Sequence, residues 1–146
     1  MKSRISKYLE NLFIPRLSEY FENYTILDNS ANKNILADWF RHFSPKNKHK
    51  QLWHAFSYYE AKAYTGQQAI KRFEKQSKNN IIIFSNELSN SIIFNNLIQN
   101  DISIEIINDC INNNKSKHDI YFTEINFAWT FVITHESEFG PYFSFS

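Results

Sequence analysis

The chain has 146 residues, the size of one domain, and its 42% hydrophobic and 21% charged content lies within the globular range, which excludes general disorder. Two glycines leave no place for the Gly-rich phosphate loops of common nucleotide-binding designs, and one cysteine, Cys110, allows neither an internal disulfide nor a zinc cluster. The net charge of +1 hides a split: residues 1–78 hold 14 Lys/Arg against 7 Asp/Glu, and residues 79–146 hold 2 against 8.

Ile5, Tyr8, Leu9, Leu12 and Phe13 recur at helical spacing. Lys7, Glu10 and Arg16 interrupt what would be the apolar stretch of a signal peptide, and no segment approaches the roughly 18 apolar residues of a membrane helix. A cytoplasmic location is therefore expected. Pro15 is expected to end the first helix or open the next, because its ring is tolerated in a first turn. Leu17, Tyr20, Phe21 and Tyr24 repeat the helical spacing, so residues 1–45 read as a helical segment. A polar connector at 29–34 precedes a short helix over 35–43, stopped by Ser44-Pro45.

Residues 46–50 form a basic loop, and the aromatic run 52–59 predicts a strand. Thr65-Gly66 punctuates before a helix over 67–76 that carries Ala69, Ile70 and Phe73 on one face. The apolar run 80–85 predicts a strand covered on both sides, with a turn at 87–90 and an antiparallel partner at 91–94. Asp101 can cap a helix reaching about residue 113, with Ile102, Ile106 and Cys110 inward, and 112–117 is a loop. Strands at 119–124 and 127–136 then pair through a tight turn at Ile125-Asn126. The order predicts a single α+β domain over 1–146, a mostly antiparallel sheet flanked by helices, with its core in 50–143.

Two segments carry the candidate chemistry. On a strand His54, Phe56 and Tyr58 share one face; in the second segment His135 follows Trp129, Phe131 and Ile133, and Glu136 lies on the opposite face. His54, His135, Glu136 and Tyr58 could converge as a general acid–base set or a metal site, because imidazole titrates near neutrality. The H-E-x-x-H zinc pattern is absent, since Phe139 stands where its second histidine would be. The other reading makes His54 and His135 structural, their ring nitrogens holding the C-terminal tail. No cofactor is indicated. Trp39, Trp53 and Trp129 are expected in the core, and Tyr58, Tyr59, Tyr64 and Tyr142 at the surface.

Trp53-His54-Ala55-Phe56-Ser57-Tyr58, and Trp129 to Glu136 with Gly140-Pro141-Tyr142-Phe143, carry a resemblance. The chain resembles, over roughly 50–143, a family of small uncharacterised bacterial proteins that share W-H-x-F-S-Y and W-T-[FY]-V-x-T-H-E…G-P-Y-F. That resemblance implies a shared fold and names no activity. By general type the chain is similar to immunity proteins that neutralise bacterial toxins, including those of contact-dependent inhibition systems. A protein partner is then expected, a basic nuclease domain met by Glu87, Asp101, Glu105, Asp109, Asp119 and Glu124, with Tyr58 and Tyr142 as anchors. The Lys and Arg residues are scattered over several elements with no nucleic-acid module, so nucleic acid is not the expected partner.

Overall fold

A strand apolar on both faces needs cover on both sides, and Asn80–Phe84, with Ile81, Ile82, Ile83 and Phe84 all buried, sets the architecture. The computed structural model describes residues 8–43, 63–85, 90–98, 102–111, 119–134 and 141–146. The fold is α+β. Among the described residues its sheet has seven strands: β1 (Phe21–Leu27), β2 (Tyr64–Thr65), β3 (Asn80–Phe84), β4 (Ser91–Leu97), β5 (Ile120–Glu124), β6 (Trp129–Ile133) and β7 (Tyr142–Phe145). They lie in the order β1-β4-β3-β5-β6-β7-β2, and every neighbouring pair is antiparallel.

Three helices share one face: α1 (Tyr8–Leu17), α3 (Gly66–Glu74) and α4 (Ile104–Ile111). Their Leu9, Phe13, Phe73 and Ile107 pack with Ile81, Ile83, Phe122 and Phe131 of the sheet. The Phe73 and Phe131 rings stack at 4.3 Å, an offset geometry that adds to the area they bury. The opposite face, with Ile82, Phe84, Tyr121 and Val132, meets α2 (Asn29–Phe43) through Trp39 and Phe43. Trp39 donates its indole N–H to Thr130 Oγ1 at 2.9 Å, and Thr130 Oγ1 lies 2.9 Å from Thr123 Oγ1. Among the described residues no helix is long and apolar enough to cross a membrane.

The strands expected at 80–85, 91–94 and 119–124 are β3, β4 and β5; β3 pairs with β4 antiparallel as the sequence implied, and β5 lies antiparallel on the other side of β3. The helices expected over 67–76 and up to 113 occur as α3 and α4. Three readings of the N-terminal segment are corrected. Pro15 lies inside α1, where it removes the N–H that would bond the Asn11 carbonyl, and the buried stripe of Leu9, Phe13 and Leu17 carries the helix through it. The second helix around 17–24 is instead one 3₁₀ turn, Ser18–Tyr20, followed by β1. The polar connector at 29–34 is the start of α2, where Asp28 Oδ1 accepts the Ala31 N–H at 2.9 Å, an N-cap.

The β5–β6 connection is longer than a two-residue turn, spanning 125–128, with Phe127 in the left-handed region at φ 62°. The C-terminal stretch is strand β7, hydrogen-bonded between β6 and β2. The helix stop at 44–45, the basic loop 46–50, the strand 52–59, most of the turn 87–90 and the loop 112–117 lie outside the described residues.

Candidate binding surface

An amphipathic helix on a sheet turns its polar residues outward, and α4 does so with charge of one sign. Ile107 and Cys110 are buried, while Glu105, Asn108 and Asp109 are exposed. Asp109 Oδ2 lies 3.0 Å from Arg16 Nη2 of α1, an ion pair whose side chains are 50% and 55% exposed. Ser103 Oγ and Glu74 Oε1 hold the start of the helix by accepting the Ile106 and Ile104 N–H groups, at 3.4 and 2.7 Å. Burial of Cys110 pushes its thiol up to about 11; Asp109 adds to the rise and Arg16 opposes it. A thiol held protonated at neutral pH is a poor nucleophile.

Of the other acidic residues expected at a partner surface, Asp119 and Glu124 lie within the described residues. Asp119 is corrected to the interior: at the start of β5 it is fully buried, in the middle of a seven-stranded sheet. Tyr142 is corrected as well, being 4% exposed in the cluster beneath α2. Glu124 turns its carboxylate onto its own hairpin, where Oε1 accepts the N–H groups of Asn126 and Ala128 at 2.9 and 3.2 Å. Glu87, Asp101, His54, Tyr58, His135 and Glu136 lie outside the described residues. Among the described residues no group of three or more His, Cys, Asp or Glu is placed to hold a metal ion.

A second exposed region went unread in the sequence. Strand β1 lies at the end of the sheet, with Tyr24 42% and Ile26 41% exposed, and the neighbouring Ile98 is 62% exposed. Tyr24 sits opposite Phe94 and Ile26 opposite Ile92. Side-chain alternation slips at Asn96, whose φ of 59° lets the facing Phe21 and Leu97 both join the core. Glu22 accepts from Asn96 Nδ2, and Asn23 Oδ1 from Asn95 Nδ2, both at 3.0 Å. A sequence signal was present: between Arg16 and Lys33 the charged residues are Glu19, Glu22 and Asp28, all acidic, within the basic half.

The family described as domain of unknown function DUF4275 matches residues 17–143. The chain belongs to that family. The DUF4275 match begins at the end of α1 and so takes in β1 and α2, which the motif resemblance over 50–143 did not reach. No curated protein and no solved structure matches the chain.

Proposed function

We propose that this DUF4275 chain is a cytosolic immunity protein that binds and blocks a cognate bacterial toxin, a nuclease of a contact-dependent inhibition system. The observation that supports this reading is the outer face of α4, where Glu105 and Asp109 stand exposed four residues apart on a helix fixed to the core by Ile107 and Cys110. Nuclease clefts are basic because they hold phosphates, and a rigid acidic helix offers such a cleft a competing negative surface. Blocking by occlusion needs shape and charge and no catalytic group. The exposed Arg16–Asp109 pair is weakly coupled in water, so Asp109 can exchange that partner at low cost.

The test is protection. Cells expressing the product of the neighbouring gene are expected to die without this chain and to survive with it. The double variant Glu105→Lys, Asp109→Lys is expected to lose protection and to slow association by roughly tenfold or more. A harmless neighbouring product, or full protection by the folded double variant, overturns the reading.

A further inference from the structure

The two edges of the sheet are treated differently. Proteins usually blunt an exposed edge by shortness, proline, lysine or a cover, because its unpaired N–H and C=O groups invite another strand. The β2 edge is blunted by shortness, being two residues long. The β1 edge has seven residues, Phe-Glu-Asn-Tyr-Thr-Ile-Leu, with neither proline nor lysine, and at about 3.3 Å per residue it offers roughly 23 Å of backbone. Among the described residues, its only strand partner is β4.

We infer that the outer edge of β1 accepts an extended strand from a basic protein partner, which lengthens the sheet by one strand. Charge selects the occupant. Glu19, Glu22 and Asp28 flank or occupy the strand and are exposed. The donors that Glu22 and Asp28 bond, the Asn96 side-chain amide and the Ala31 N–H, carry no formal charge, so neither contact is an ion pair. An incoming strand with Lys or Arg would meet carboxylates at both ends of β1. Its apolar residues would continue the rows Ile92–Ile26 and Phe94–Tyr24, covering side chains now about two-fifths exposed. A second copy of β1 would instead bring a strand of the same negative sign. The partner's identity as a toxin rests on the reading above; the strand-accepting edge does not.

The probe is a synthetic peptide of alternating Lys and Val, as long as β1, with an alternating Glu and Val peptide as control. The Lys/Val peptide is expected to slow amide hydrogen exchange at alternate positions within Phe21–Leu27, and to bind more weakly as salt rises. The variant Glu22→Lys, Ile26→Lys is expected to weaken that binding about tenfold, with exchange in β3 and β5 unaltered as the check on folding. Absence of protection in β1, or equal binding of the Glu/Val peptide, overturns the inference. Protection of the same amides by raising protein concentration alone also overturns it, making a second copy the occupant. If the peptide protects β1 while the chain fails to neutralise its neighbour's product, the immunity reading falls and the edge stands.

Discussion

At the scale of single residues, Cys110 shows how position sets chemistry. On the inner side of α4 it is 5% exposed, and loss of water around the thiolate outweighs the opposing pull of Arg16. The folded thiol titrates near 11 against an ordinary value of 9.0. The folded state therefore keeps a proton that the unfolded chain gives up first, so the contribution is complete below pH 9.0 and is lost as pH rises toward about 11. Relative to Cys110→Ala, the protein is expected to lose up to roughly 2–3 kcal/mol of unfolding free energy across that window. Urea titrations at stepped pH measure it, and parallel pH profiles of the two proteins would refute it. Phe127 is a different residue-scale case. An aromatic residue at φ 62° is held there by the Glu124 carboxylate on both sides of it and by its ring, which stacks on His42 at 5.0 Å. No local signal in Asn126-Phe127 announces that conformation.

At the scale of elements, a buried polar contact ties α2 to the sheet within an apolar interface. Trp39 is fully buried, and its N–H has Thr130 Oγ1 as acceptor. Thr130→Val keeps the shape and strands the indole donor, so it is expected to cost about 1–3 kcal/mol. Thr123→Val leaves that acceptor in place and is expected to cost less. Urea unfolding of both variants orders them, and equal costs would show that the Trp39 bond contributes nothing. The same elements show what the sequence could reveal. The run Ile81-Ile82-Ile83-Phe84 and the pair of strands around Ile125-Asn126 were legible because burial on both faces and a short connection leave local marks. Strand β1 was not, because Leu17, Tyr20, Phe21 and Tyr24 fit helical spacing, and only pairing with β4 selects the extended form. The start of α2 was hidden because its first turns are polar, even at the buried Asn32, and read as a polar loop. Glu105 and Asp109 were legible as charges on an amphipathic helix, whereas the burial of Asp119 depends on strands distant in sequence.

At the scale of the molecule, the question is whether the basic and acidic halves hold the fold together or leave their charge for a partner. Arg16–Asp109 joins the halves at the surface, and at 50% and 55% exposure water screens it. Lys78, from the basic half, points inward, with Nζ donating to the Gln76 carbonyl at 3.0 Å and lying 4.6 Å from the Phe73 ring centre. Neither contact replaces the apolar cover on both faces of the sheet, where burial contributes about 25 cal/mol for each Å² removed from water. A double-mutant cycle on Arg16→Ala and Asp109→Ala is therefore expected to give a coupling below about 1 kcal/mol, falling toward zero by roughly 0.5 M salt. Thermal unfolding of the two single variants and the double variant at low and high salt measures it. A coupling of several kcal/mol that survives salt would mean that the two poles are committed to each other. A small, salt-sensitive coupling means that the carboxylates on α4 can be drawn to a basic partner without loosening the core beneath them.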